Sequence, residues 1–506
     1  MSNICIQYDK DVRFYPNGQE YFSPSECYPE YKWPKDIATS DNGVYKMVRN
    51  CFISLGLDSE NIGTPRWNPL GVYIKKGSTV LLKPNWVENK NKNQNVRDNL
   101  ACLVTNPSVV RAVIDYVIIA LDGTGRIIIA DAPMQRCDLE DMFRKTEYTQ
   151  LFDFYRIKGI KIEVCDLRKY SVEKKYKGVF LPPKFTNNGL GSIKLDLQTN
   201  SMHSEKDMYS PKYKVEDYEQ RMTAAYHSHG RHIYEVNELP LQADVIINLP
   251  KPKTHRLAGF TGACKNFVGI TFEKASLPHR IDGDKNKENG DAYEKHSIWK
   301  DAMRFFNEKR TYYSRIGAVK RCKVYDLFMK GAYAVGALLS GDKYRVGSWY
   351  GNDTIWRTVV DLNNIMLHAD KDGVMHEEPQ RTIISIGDMI VGGQEEGPVG
   401  PSPKQLGIIL FSDNNLLFDR TVCEIMGFDE RRFATFIEQK ALQIYHLDKQ
   451  TIEDTVVKSN MKEINNQKLE TITIPESWHF IPHSCWKGHI EKNLDRENDS
   501  KNLSKL

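Results

Sequence analysis

Three neighbouring stretches decide the fold: STVLLKP (78–84), NPSVVRAVIDYVIIAL (106–121) and GRIIIADAP (125–133). The first and third are short and almost continuously apolar, as strands covered on both faces of a parallel sheet are. Between them, Asn106 is placed to cap a helix and Pro107 to occupy its first position, while Asp122-Gly123 reads as its stop. Strand, helix, strand is a βαβ unit, so the class is α/β, a mostly parallel buried sheet with helices on both faces. Three further runs extend the sheet: ADVIINLPKP (243–252), RTIISIGDMIV (381–391) and LGIILFSD (406–413).

Outward from this centre, residues 1–45 lack helical or strand periodicity but are aromatic (YPNGQEYFSPSECYPEYKWP), and read as an arm laid over a neighbouring surface. The α/β domain is expected over 46–435, with polar surface insertions near 185–235 and 282–350; the second contains a helical pattern from Ile298 to Leu339. A C-terminal extension follows over 436–485, and 486–506 has the composition of a disordered tail. With 40 % apolar and 27 % charged residues in 506, ordinary folded cores are expected. The net charge of +4 is too weak a field for a nucleic-acid binder.

The ten cysteines are scattered with no C-x-x-C, which excludes a zinc ribbon and a ferredoxin-type cluster motif and reads as reduced thiols of a cytoplasmic protein. The N-terminus has no apolar core of a signal peptide, and no uncharged apolar run reaches the ~18 residues of a membrane span.

Ligands of open α/β sheets bind beyond the carboxyl ends of the strands. The runs end there in Lys83-Pro84-Asn85, Asp131-Ala132-Pro133, Pro250-Lys251-Pro252-Lys253-Thr254-His255, Asp388 with its following glycines, and Ser412-Asp413. The densest segment, INLPKPKTHRLAGFTGACKNFVGITFEKASLPHR, sets Lys251, Lys253, His255, Lys265 and His279 among small residues. Small residues admit a ligand to backbone N–H groups, and lysines supply charge for phosphate or carboxylate. A lysine beside Phe260, Phe267 and Val268 is also a candidate base or attachment point. Lys265, His255 and His279 are therefore the candidate catalytic residues. Lys83, Asn85, Lys251, Lys253, Thr254, Thr261 and Asn266 are the candidate anion-binding residues. Asp131 and Asp388 are candidate ligands of a substrate hydroxyl or a divalent cation.

Three other features are read without a catalytic role. The HSHGRH run (His227, His229, Arg231, His232) has a spacing that could hold a metal, but an exposed basic loop is the favoured reading. Arg357 and Asp361, four apart in GNDTIWRTVVDLN, read as an ion pair on one helix face. VGGQEEGPVGPSP lacks the Lys-Ser/Thr of a phosphate-binding loop and is taken as backbone near the site.

These residues, in the elements LLKPNWV, TNPSVVRAVID, IIIADAP, ADVIINLPKPKTHRLAGFTGACKNFVGI, WRTVVDLN, GDMIVGGQEEGPVG and LLFDRTVCEIMGFD, resemble the domain of unknown function 362 family, an uncharacterised group of bacterial and archaeal proteins. The resemblance spans roughly residues 79–430 with insertions. Many members carry a ferredoxin-like cluster domain; this chain lacks the cysteines, so no iron–sulfur cluster is expected. The long form with an aromatic arm looks like members found beside surface-polysaccharide biosynthesis genes.

HRLAGFTGACK (255–265) is also similar to the segment of nickel-pincer lactate racemases in which a His precedes, by ten positions, the Lys that holds the cofactor. His279 falls roughly where that group has a further catalytic His. The likeness implies Lys265 as a cofactor-anchoring or substrate-binding lysine and His255 as a base. Ala263-Cys264 stands in place of the glycine before that lysine, and LLKPNWVEN has no counterpart of the racemases' Arg-containing phosphate motif. A shared α/β site with different chemistry is expected, without the nickel-pincer nucleotide.

The expected function is that of an enzyme acting on an anionic small molecule, a phosphorylated, nucleotide-linked or carboxylated sugar; a non-catalytic ligand-binding or scaffold component of a biosynthetic complex is the alternative. A divalent cation is compatible with this site. Reaction, metal and oligomeric state are not encoded in any motif.

Overall fold

Alternation within the apolar runs builds the sheet. In the computed structural model, Val80 and Leu82 of β2 (Thr79–Pro84) enter one core, while Leu81 between them enters another on the opposite face. Ile127 and Ile129 against Ile128 do the same in β3 (Arg126–Asp131), and Ile247 against Ile246 in β5 (Val245–Leu249). Both faces are apolar because both are covered, the condition under which parallel strands lose their polar alternation.

The structure describes residues 3–492 except Asp98, 173–174, 177–178, 181–183, 187–188, 217, 219, 341–345, 438–444, 446 and 448–454. The remaining strands of the main sheet are β1 (Ile4–Tyr8), β4 (Glu163–Asp166), β6 (Lys253–His255), β7 (Gly259–Thr261), β8 (Thr382–Glu396), β9 (Gly400–Ser412), β10 (Val456–Ser459) and β11 (Gln467–Lys468). Their order is β11-β10-β1-β9-β8-β5-β2-β3-β4, with β6 paired to β8 and β7 to β6. From β8 to β4 every pairing is parallel. The fifth apolar run departs from the expected direction: β9 returns antiparallel to β8. Ser412-Asp413 therefore lies at the end of the sheet away from the other strand tips, and Asp413 binds Asn3 instead.

Helix α1 (Gly43–Ser54) and α2 (Pro107–Leu121) cover one face. The Asn106 side chain accepts from Ser108 N–H, and α2 ends at Asp122 in the left-handed conformation, as the sequence signals indicated. The aromatic arm lies over α2. There Arg111 pairs with Asp115, donates to Tyr31 and Tyr155 hydroxyls at 3.0 and 2.9 Å, and stacks 3.8 Å from the Phe154 ring centroid. The arm also contains the unexpected strand β1, whose five residues are too few to display a period. The opposite face is covered by α6 (Ile355–His368) and, near β9, by α7 (Asn415–Ile425).

The segment expected as polar surface near 185–235 instead contributes an antiparallel pair, Ser192–Asp196 with Ile233–Asn237, and buries His203, His227 and His232. The insertion near 282–350 carries α4 (Ile298–Arg315) and α5 (Val319–Ser340), packed as a hairpin. Trp486 and Ile490 of the expected tail are buried against the C-terminal core; residues 493–506 lie outside the described residues. Among the described residues, no helix is long and apolar enough to cross a membrane.

Candidate functional site

Beyond the carboxyl ends of β2, β3 and β8 lies a cavity of about 1360 Å³. Asn85, Asp131 and Lys253 face it from the strand tips, and Glu395–Gly400 from the β8–β9 turn. Its floor is the segment that follows β5: β6, which ends in His255, a turn carrying Arg256, β7, then α3 (Ala263–Asn266).

A chain of buried amides fixes that floor to the sheet. Lys253 Nζ donates to Asn85 Oδ1 at 2.6 Å; Asn85 Nδ2 donates to Asn266 Oδ1 at 2.7 Å; Asn266 Nδ2 donates to Asn248 Oδ1 at 2.7 Å. Asn248 Nδ2 then reaches the Ala263 carbonyl at 3.0 Å, and Asn363 Nδ2 from α6 reaches that of Cys264 at 2.9 Å. Asparagine suits these positions because one side chain both donates and accepts, so a dry chain can be satisfied throughout. The amino end of α3 is held by Asp419 of α7, which accepts from the backbone N–H groups of Ala263 and, at 3.2 Å, Cys264. Gly262 is required for that approach, since a Cβ there would overlap Asp419 Oδ1.

Eight of the candidate residues meet on the cavity wall: Asn85, Asp131, Lys253, His255, Thr261, Lys265, Asn266 and His279. Their available atoms differ. Lys253 is spent on Asn85 and on the carbonyls of Leu103 (2.8 Å) and Lys251 (3.3 Å). Burial and the neighbouring Lys251 pull its pKa down to about 7. Lys265 is partly exposed to the cavity, and its Nζ has no hydrogen-bond or ion-pair partner among the described residues. Burial, then the charges of Lys274 and Arg256, lower its pKa to about 7. The Thr261 hydroxyl is buried and likewise without a hydrogen-bond partner.

The two histidines take opposite tautomers. His255 Nδ1 accepts from the N–H groups of Leu257 (3.0 Å) and Ala258 (3.2 Å), so the neutral ring carries its proton on Nε2. His255 is thus a donor, which corrects the base implied by the racemase likeness. His279 Nδ1 lies 3.0 Å from the Leu277 carbonyl, so it donates there and leaves the Nε2 lone pair available. Burial and the Lys265 charge lower the His279 pKa to about 3, and the ring is neutral at neutral pH.

Lys83, Lys251, Thr254 and Asp388 are not on the cavity wall. Lys83 Nζ pairs with Asp131 Oδ1 at 2.7 Å, while Asp131 Oδ2 accepts from Trp86 N–H at 2.7 Å. Lys251 pairs with Asp388, whose carboxylate also accepts from Tyr15 OH (2.6 Å) and Asn106 N–H (2.8 Å). Thr254 Oγ1 donates to the Glu395 carbonyl at 2.7 Å. Lys83, Lys251 and Asp388 thus lie off the wall where they are expected, each committed to a buried ion pair, whereas Asp131 lines the cavity while paired with Lys83. Thr254 is a turn-holding group.

Sequence reasoning passed over Arg256, although it adjoins His255. Its guanidinium faces the cavity with no hydrogen-bond or ion-pair partner among the described residues. It also passed over Lys274, which donates to the carbonyls of Ala132 and Pro133. The HSHGRH run is corrected as well: His227 and His232 are buried with ring nitrogens 3.3 Å apart, beside His203. Arg357 pairs with Asp353 (3.3 Å) rather than Asp361; Asp361 instead accepts from Ser201, Met202 N–H and Tyr234.

A family model described as Domain of unknown function (DUF362) matches residues 80–188 and 208–424, which contain every residue of the amide chain and of the floor. No curated protein and no solved structure matches the chain.

Proposed function

The chain belongs to the domain of unknown function 362 family, and on that premise we propose that it is an enzyme whose cavity takes an anionic small molecule of the phosphorylated, nucleotide-linked or carboxylated sugar class. The observation that carries this reading is the pair Arg256 and Lys265, two basic side chains on the cavity wall whose charged ends have no hydrogen-bond or ion-pair partner among the described residues. Two basic side chains held together on a cavity wall, with no protein group bound to their charged ends among the described residues, suit an anion that would complete them. Arg256 would hold the anion through its planar fork of donors. Lys265, with a pKa near 7, is partly neutral at neutral pH and suits proton abstraction or carbonyl attack, with the substrate proton passing to Nζ.

His255 Nε2–H and the unpartnered Thr261 hydroxyl would supply hydrogen bonds to substrate oxygens, and His279 Nε2 would accept one from a substrate hydroxyl. A cavity of about 1360 Å³ exceeds the roughly 300–1,000 Å³ of drug-sized sites and has room for a nucleotide-linked sugar. We place the reaction in the cytoplasm, on ten cysteines without a disulfide, and in surface-polysaccharide biosynthesis, which uses this substrate class. A binding-only role is favoured by one observation: neither histidine is a basic imidazole of ordinary pKa.

The test is thermal-shift screening of the purified chain against sugar phosphates, nucleotide sugars and sugar acids, followed by product analysis by mass spectrometry. A member of the panel should stabilise the wild type and be altered by it, and Lys265→Met should lose both effects while its own Tm stays within a few degrees. Stabilisation without turnover selects the binding-only reading. Equal stabilisation of Lys265→Met, or its failure to fold, overturns the site.

A further inference from the structure

Outside the cavity floor, the charged run DGDKNKENGDAYEKHS (282–297) has no part in the reading above. It folds into a tight loop: Asp284 Oδ1 accepts from the N–H groups of Asn286 (3.0 Å) and Lys287 (2.8 Å), and Gly290 N–H returns to the Asp284 carbonyl at 2.9 Å. Lys285, Asn286 and Lys287 are turned out to solvent, whereas Asp284 is fully buried. One ligand-type atom each from Asp284, Glu288 and His296 lies within 4.8 Å of the others.

The cluster alone would be ordinary. What sets it apart is Asp284 Oδ2, a buried carboxylate oxygen with no hydrogen-bond partner among the described residues, which faces His296 Nδ1 at 3.7 Å, beyond hydrogen-bonding distance. A buried carboxylate oxygen with nothing bound is costly. Asp284, Glu288 and Asp301 are faced by one guanidinium, Arg304, which pairs with Glu288 Oε2 (3.1 Å) and Asp301 Oδ1 (2.8 Å). Arg304 thus serves Glu288 and Asp301, and among the described residues Asp284 Oδ2 has only the His296 ring opposite it.

We propose that Asp284, Glu288 and His296 form a divalent-cation site. Two carboxylates and one imidazole are the donors of a first-row ion such as Zn2+ or Mn2+, whereas Ca2+ and Mg2+ favour all-oxygen shells. Zinc–ligand distances are about 2.0–2.2 Å, so small side-chain rotations close the three groups on one ion. Its position gives it a purpose in the fold. Glu288 is tied to α4 through Arg304, and Glu294 and Lys295, just before His296, are on the cavity wall. The ion would clasp the loop closed and so fix that wall.

The experiment is calorimetric titration of ZnCl2 and MnCl2 into the tag-free, chelator-treated full chain, with wild type, Asp284→Asn and His296→Gln compared. The wild type should bind one equivalent of at least one ion here, and each variant should lose tenfold or more in affinity for it. His296 is partly exposed, so His296→Gln keeps the test valid if Asp284→Asn does not fold. Binding of neither ion by the wild type, or binding unchanged in His296→Gln, overturns the proposal. The titration reads metal alone, so its failure leaves the anion site standing.

Discussion

Lys251 Nζ lies 2.9 Å from Asp388 Oδ2, and neither side chain has any exposed surface. The same carboxylate accepts from Tyr15 of the N-terminal arm and from the N–H of Asn106 at the start of α2. One buried pair thus joins arm, helix and the segment leading to the cavity floor. Lys251→Met leaves Asp388 uncompensated and should cost about 3–5 kcal/mol in urea unfolding, whereas the double replacement Lys251→Met/Asp388→Asn should recover part of it. A loss under about 1 kcal/mol, the worth of a surface pair, would contradict this role.

Lys265 should react with amine reagents far below the pH at which surface lysines do. Its pKa near 7 makes the neutral amine half-populated there, against about 10.4 for an unperturbed lysine. Labelling followed by peptide mapping should show a Lys265 rate that reaches half its plateau near pH 7. A bound anion favours the protonated form and should move that midpoint upward. A midpoint near 10 in the free protein would remove Lys265 as a base.

Asp419 tests the positioning of α3. Its own pKa is raised to about 7 by burial, and its oxygens bind the amino end of the helix that carries Lys265. Asp419→Ala should cost about 1–2 kcal/mol as a lost cap and weaken anion binding through the displaced Lys265. Asp419→Asn keeps an acceptor and should retain most of both. Equal ligand binding by all three proteins would show that the cap does not place the lysine.

Acid should act through His227. Burial, then the neighbouring His232, lowers its pKa to about 3, while Nε2 binds the Ser276 carbonyl at 2.7 Å. In the unfolded chain it titrates near 6.5, so below that pH the unfolded state takes up a proton that the folded state refuses. The stability from this histidine is therefore complete above pH 6.5 and is lost as pH falls toward 3. Between pH 7 and pH 5 the wild type should lose about 2 kcal/mol more than His227→Gln in guanidinium unfolding. Parallel pH profiles would contradict the buried neutral ring.

Local sequence determined the strands, the capped helix α2 and the segment that forms the cavity floor, because burial on two faces, Asn-Pro at a helix start and clustered small residues each write a pattern within a few positions. Tertiary structure alone decided which charges are free. Lys83, Lys251, Lys253 and Lys265 look alike in the chain, but three meet buried partners up to 168 positions away in sequence and one does not. The antiparallel return of β9, the strand at Ile4–Tyr8 and the burial of His227 and His232 were hidden for the same reason. Strand direction, and the satisfaction of a polar side chain, depend on what the rest of the molecule places alongside, and a one-dimensional pattern carries no record of that neighbour.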